Sequence, residues 1–434
     1  MSPTRARTRT APSGVELTNY EATAPPAHLH TVFQMIHFHL TGGEQIANSV
    51  TQIWYSLRLS EDDFSLVMRT LQELTHASSL EELTRVKMSM EQDHLHKLVL
   101  VWRTWLHLSS REGDWITEER RRIFESHPST KEGIRLYLDQ IPKKHKNSAS
   151  DWFENGILLP NASRKDLNRE NVTLTGFPAA LINQSDGPYQ FGYILDPSII
   201  PLISWDYKDV RQHFNCDSLL KVYNQYVSHL LENCIAKLPT ALVKFHFVLS
   251  NCIEMVPFLP PDRKYDRVTT SNIADYVPLT SILDMCKPLL NTANTSAVII
   301  TEFQNWFQLT SLHEKLLNHF SQLPESFRQK VLEDTQNRSI AFSDGRVAFM
   351  DYYDLSEEFI EFLRAALLVS DHKIPDEVNR RRIWRSVAHY NGLVARDFLC
   401  SQNRLFPFKW KNNCRRVTMM SGFSRAVEWI VKTQ

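Results

Sequence analysis

Four polar side chains stand where an open α/β sheet would carry out its chemistry. Ser271, Asn272 and Asp275 follow the run Arg267-Val268-Thr269-Thr270, and Glu302 comes near the end of the run Ala297-Val298-Ile299-Ile300. Both runs read as buried strands. Between them Leu279, Ile282, Leu283, Cys286 and Leu290 recur at helical spacing. Strand, helix, parallel strand is a βαβ unit, and ligands of such sheets bind off the carboxyl ends of the strands. Ser271, Asn272, Asp275 and Glu302 are therefore the candidate binding residues. The plainer alternative is that they cap the loop and turn that follow. Asp266 reads as the residue that opens the first strand.

Other chemistries lack their residues. No glycine-rich phosphate or nucleotide loop, G-x-S-x-G elbow or kinase motif set occurs in the chain. His28 with His30, His37 with His39, and His94 with His96 resemble ligand pairs. They lack the i, i+4 spacing and third ligand that zinc wants, so no metal is expected. The cysteines at 216, 234, 252, 286, 400 and 414 form no C-x-x-C pair; Cys234 and Cys286 lie on apolar helical faces and read as core.

Composition narrows the class further. The 434 residues carry 49 Lys+Arg against 49 Asp+Glu, so the basic excess of a nucleic-acid binder is missing. The runs Arg120–Arg122, Lys143–Lys146, Arg380–Arg382 and Arg415–Arg416 read as solvated helix faces and loops, the alternative being an adaptor for an anionic partner through Arg380–Arg382. Scattered thiols suit a reducing compartment. No apolar run approaches a membrane span, and the N-terminus has no signal-peptide core. A cytoplasmic location is expected, with the sequons at Asn161, Asn171, Asn183, Asn294 and Asn337 unmodified. Arg5, Arg7 and Arg9 leave a mitochondrial presequence as the alternative, against which no amphipathic helix is visible.

Stepping along the chain, residues 1–27 are rich in Thr, Pro and Arg and read as a disordered tail. Residues 31–124 read as helical. Ser60 with Asp63 forms a capping box before Phe64, Val67, Met68, Leu71 and Leu74, and a later helix carries Leu95, Leu98, Val99, Trp102 and Trp105. Residues 125–215 read as an irregular insertion with extended pieces at Asn171–Leu174 and Tyr189–Tyr193. Residues 217–303 run helix, strand (Val243, Phe245, Phe247, Leu249), strand, helix, strand, the second half of a doubly wound sheet. Residues 304–434 read as helices starting near Pro324 and Ser356, a short strand at Val347–Phe349, and a closing hairpin of Val417–Met420 with Ala426–Ile430 at the sheet edge.

Taken together, DRVTTSNIADY, CKPLL and VIITEF resemble an uncharacterised domain family found at the N-terminus of dynein axonemal assembly factor three and beside MYND zinc fingers. TVFQMIHFHL near the start and FPFKWKNNCRRV near the end are similar to it too, so the resemblance covers roughly residues 31–431. More distantly, the chain looks like the later half of a class I S-adenosylmethionine-dependent methyltransferase. The resemblance implies a degenerate Rossmann (methyltransferase-like) sheet. It also implies a non-catalytic assembly factor without cofactor, whose partners would be dynein assembly or chaperone components. The alternative it carries is a methyltransferase with an atypical site, in which Ser271, Asn272, Asp275 and Glu302 line the S-adenosylmethionine pocket. This chain departs from the family at its start. A first strand, a Gly-Cys-Gly-Asp type of turn and a second strand ending in an acid are expected there. The only adjacent glycines, Gly42-Gly43, fall between helices. With no upstream strand expected in residues 1–27, the first strands are lost or the sequence is truncated. The exposed edge would call for a partner, self-association or instability.

Overall fold

The computed structural model describes residues 15–16, nearly all of 46–126, 141–159, 166–176, 207–237 and 244–303, then 389–396 and 425–431, with shorter pieces between. The protein is mixed α/β and divides into two compact units. One comprises 1–12, 20–249 and 416–420, the other 13–19, 250–415 and 421–434. In chain order the strands are β1 (Val15–Glu16), β2 (Arg58–Ser60), β3 (Met88–Met90), β4 (Leu167–Glu170), β5 (Thr175–Gly176) and β6 (Gly192–Tyr193). They continue with β7 (Phe245–Phe247), β8 (Arg267–Thr269), β9 (Val298–Phe303), β10 (His389–Tyr390), β11 (Leu393–Ala395) and β12 (Arg425–Val431).

The first unit is built on helices. Ser60 caps helix Glu61–His76: its hydroxyl accepts from the Asp63 N–H at 3.1 Å and donates to the Asp63 carboxylate at 2.9 Å. Acids at 61, 62 and 63 add to this by facing the positive end of the helix dipole. Phe64, Val67, Leu71 and Leu74 are buried against helix Gln92–Leu108, whose Leu95, Leu98, Trp102 and Trp105 complete the core. A second contact is polar. Helix Ile46–Tyr55 meets helix Leu219–Lys237 through Thr51–Ser228 (3.2 Å), Gln52–Asn224 (2.9 Å) and Tyr55–Tyr223 (2.9 Å). Burial pushes the Tyr55 hydroxyl up to about 12, so this pair stays neutral and hydrogen-bonded.

Two neighbouring residues cap two different helices. The Glu170 carboxylate accepts from the N–H groups of Ile116 and Thr117, at the positive end of helix Trp115–Ser126. Asn171, fully buried, donates to the carbonyls of Ile53 and Ser56 at the other end of helix Ile46–Tyr55. Both residues belong to a stretch read as irregular, but Glu170 ends β4, which pairs antiparallel with β2, and Asn171 follows it directly. Val172–Leu174, expected to be extended, is instead a 3-10 turn, because the Asn171 side chain accepts from the Thr173 N–H and curls the chain.

Several local readings meet different neighbours in space. β7 forms at the expected place but pairs parallel with β3. It therefore belongs with the helices and is not the strand before β8 in one continuous sheet. Two members of the basic runs are not solvated. Arg120 is buried, where it donates to the carbonyls of Trp152 and Phe153 at 3.0 Å each. His145 is buried in helix Lys143–Asn155.

Among the described residues the second unit holds a six-stranded sheet in the order β1-β8-β9-β12-β11-β10. β1, β8 and β9 are parallel; β12 runs antiparallel to both β9 and β11. Val298, Ile299, Ile300 and Phe303 in β9, with Val427 and Trp429 in β12, are buried, as a strand covered on both faces requires. Trp429 Nε1 donates to the Thr301 hydroxyl at 2.9 Å.

Two expectations are corrected in this unit. A strand does stand upstream: Val15 pairs with Val268 and Glu16 with Thr269, so β8 has a parallel neighbour drawn from the segment read as a tail. The last strand is not at an edge, since β12 lies between β9 and β11. The hairpin at that end is β10–β11, turning at Asn391 (φ 48°) and Gly392 (φ 74°), two left-handed residues that suit an Asn-Gly turn. The readings at Val347–Phe349, Val417–Met420, His28, His30, His37, His39, Gly42-Gly43, Cys400, Cys414, Arg380–Arg382, Arg415–Arg416 and the sequons Asn161, Asn183 and Asn337 lie outside the described residues.

Candidate functional site

The carboxyl end of β8 is where the sequence places its polar cluster. The Thr270 N–H still bonds the Ile300 carbonyl at 3.0 Å, so the ladder to β9 continues one residue past the strand. Ser271 then turns the chain with φ 53°, a left-handed backbone that costs a non-glycine residue about 1–2 kcal/mol. The chain coils into a 3-10 turn, Ser271–Asp275, which packs on β9.

This turn gathers three of the four candidates. The Ser271 hydroxyl donates to the Asn272 side-chain oxygen at 3.2 Å. Asn272 is partly exposed, whereas Ser271 and Asp275 retain 7% and 4% of their exposure. Glu302 is half-buried in β9, where it pairs with Ala426 of β12. Ser271, Asn272 and Asp275 lie in the turn just past the carboxyl end of β8, and Glu302 is the last but one residue of its parallel neighbour β9. All four thus lie at the carboxyl ends of two neighbouring strands, two of them buried. Beside them Tyr276 is 65% exposed.

Asp266 works at the other end of β8. Its carboxylate accepts from the amides of Asn291 (2.8 Å) and Asn294 (2.9 Å), tying the loop that leads into β9 to the start of β8. The helix between the strands, Leu279–Cys286, buries Leu279, Ile282, Leu283 and Cys286. Burial pushes the Cys286 thiol up to about 12, which keeps it protonated and unreactive. That helix is also gripped from outside by residues the sequence reading passed over. Tyr390 and Asn391 donate to the two Asp284 oxygens at 2.7 and 2.8 Å, and Lys287 donates to Asn391 at 3.1 Å. The Asn391-Gly392 dipeptide was the available signal for this hairpin. Among the described residues no group of three or more His, Cys, Asp or Glu side chains could hold a metal, and no helix is long and apolar enough to cross a membrane.

The strain at Ser271 can be measured. Ser271→Gly should raise the unfolding free energy by up to about 1 kcal/mol, whereas the same change at an ordinary backbone position lowers it. A loss of more than about 1 kcal/mol in urea unfolding would mean that the hydroxyl contact outweighs the backbone strain.

Fold and site define a mixed α/β protein whose second unit gathers polar residues at the carboxyl ends of parallel strands. Compared with known proteins, the chain matches no family model, no curated protein and no solved structure.

Proposed function

We propose that this chain is a non-catalytic, cytoplasmic protein-interaction or assembly factor built on a degenerate, Rossmann-like sheet. The observation that carries the reading is in the sequence. β1 is parallel to β8, and no glycine-rich phosphate or nucleotide loop occurs in the chain. A cofactor bound at such an edge needs glycine there to reach the backbone. Ser271 and Asp275 are a poor fit for pocket lining as well, because both are turned away from solvent. Three parallel strands, with a helix between β8 and β9 and an antiparallel strand added beyond them, are consistent with the doubly wound class. Dynein assembly or chaperone components are the partner class suggested by the family resemblance, and that suggestion rests on the resemblance alone.

The second reading is an S-adenosylmethionine-dependent methyltransferase with an atypical site at Ser271, Asn272, Asp275 and Glu302. The left-handed backbone of Ser271 favours it, since strained residues cluster at functional sites. Thermal unfolding of the whole chain with S-adenosylmethionine, and separately with its demethylated product, decides between the two. The assembly-factor reading expects no change in midpoint. A ligand at a hundred times its dissociation constant would stabilise a specific site by about 2.7 kcal/mol, a rise of several degrees. Such a rise would overturn the non-catalytic reading.

A further inference from the structure

His145 takes no part in the site above, yet it is fully buried in the first unit. Its Nδ1 lies 2.8 Å from the Asp217 carbonyl oxygen, and its Nε2 meets the Tyr207 hydroxyl. A carbonyl only accepts, so Nδ1 carries the ring proton and Nε2 accepts from the Tyr207 O–H. The neutral imidazole satisfies both ring nitrogens as they stand, whereas in the cation Nε2 would donate and the Tyr207 hydroxyl would have to reverse its role.

The surroundings also disfavour a second ring proton. Among the described residues, the charged and titratable groups facing the ring are Lys144 on its own helix, Tyr207 and Arg211 on helix Tyr207–His213, and Asp217 ahead of helix Leu219–Lys237. Two of these are cations. The carboxylate among them, Asp217, is 89% exposed and pairs with Lys144 at 3.9 Å. The Arg211 guanidinium carbon lies 5.8 Å from the centre of the Tyr207 ring. If Nε2 became a donor, the Tyr207 O–H would have to turn away and present its oxygen as the acceptor. Burial, followed by the charges of Lys144 and Arg211, holds the imidazole below its ordinary value, opposed by the Asp217 carbonyl and carboxylate.

Three elements meet at this ring. Besides the His145 contacts, the Leu219 N–H donates to the Ser148 hydroxyl at 3.0 Å, fastening helix Leu219–Lys237 to helix Lys143–Asn155. Helix Tyr207–His213 is about two turns long. Tyr207 and Val210 are its buried anchors among the described residues, so it has the least contact to lose.

We propose that His145 is a proton-operated latch: neutral, it fastens helix Tyr207–His213 to helix Lys143–Asn155; protonated, it lets the short helix go while the rest of the unit stays folded. The sign follows from linkage. The released state binds the proton more readily, so the latch is at full strength above about pH 6.5 and weakens as pH falls below that value.

The test is amide hydrogen exchange on the full chain between pH 7.5 and 5.0, corrected for intrinsic exchange. The opening constant of residues 207–213 should rise by up to tenfold per pH unit below about pH 6.5. Helix Glu61–His76 should show no such change. In His145→Gln, whose side chain can donate and accept but not titrate, the slope should vanish. Should that variant fail to fold, Tyr207→Phe keeps the titrating ring; its opening should be raised at every pH with the slope retained. A flat wild-type profile, an unchanged slope in His145→Gln, a lost slope in Tyr207→Phe, or a parallel rise in helix Glu61–His76 would each overturn the latch.

Discussion

Replacing Asn171 with leucine is expected to lower the unfolding free energy by about 3–5 kcal/mol, among the largest losses a single substitution causes. The side chain is fully buried and uses its whole hydrogen-bonding capacity. It donates to the Ile53 and Ser56 carbonyls at 2.8 Å each, and it accepts from the Thr173 N–H (3.2 Å) and hydroxyl (2.7 Å). Leucine fills a similar volume but leaves those groups in a dry site, at about 1–3 kcal/mol for each that finds no other partner. Its backbone N–H, bonded to the Leu57 carbonyl at 2.9 Å, would survive the change. Asn171→Asp keeps the acceptors and loses both donors, so it too should be strongly destabilised. Urea unfolding followed by circular dichroism measures both variants. A loss below about 1 kcal/mol for leucine would show that water replaces the amide. The same geometry bears on the sequon, because the side-chain nitrogen that would carry a glycan is already occupied twice.

The second large effect is expected at Arg120. Its guanidinium caps the negative end of helix Lys143–Asn155 through the Trp152 and Phe153 carbonyls, and it lies 4.4 Å from the Phe124 ring and 5.0 Å from the Trp152 ring. Arg120→Met keeps most of the packing and removes both charge-assisted bonds, for a loss of about 2–4 kcal/mol. Arg120→Lys should recover little, since an ammonium cannot reach two carbonyls as a fork does. Gly156 closes the same helix with φ 65°, and its N–H bonds the Trp152 carbonyl at 2.7 Å. A Cβ on Gly156 would come within 3.0 Å of Arg120 Nε and 3.2 Å of Leu57 Cβ. Gly156→Ala thus adds crowding to a left-handed cost of about 1–2 kcal/mol. Because part of that crowding is with Arg120, the double variant should be less destabilised than the sum by about 0.5 kcal/mol or more. Strict additivity in thermal or urea unfolding would mean that the two residues do not share one cap.

What was legible in the sequence was local. The Ser60–Asp63 cap, the apolar stripe behind it, β8, β9 and the helix between them each follow from residues within one element. The pairing partners did not follow. Nothing in Phe245–Phe247 names Met88–Met90, and nothing in Ala426–Ile430 says that β9 and β11 will flank it, because register is settled between strands far apart in the chain. Val15–Glu16 is too short and too isolated to read as a strand. Arg120 was misread because it sits in a run of three arginines. Spacing held the correction, since Ile116, Arg120 and Phe124 recur every four residues and share a buried face. The candidate site was legible as a cluster, through Ser271, Asn272 and Asp275 at a strand end. Its burial was not, because that depends on the turn the left-handed Ser271 makes.

The central place of β12 sets the order in which this protein can be completed on the ribosome. β9 ends at Phe303 and β12 begins at Arg425, with 121 residues between them, so one long side of β9 waits for its neighbour while that stretch is translated. At the usual 5–20 residues per second the wait is roughly ten seconds. Throughout it Val298–Phe303, a β-branched apolar edge, has open backbone groups on that side. A nascent chain of this kind would be a natural client for holding factors, whatever it later assembles with.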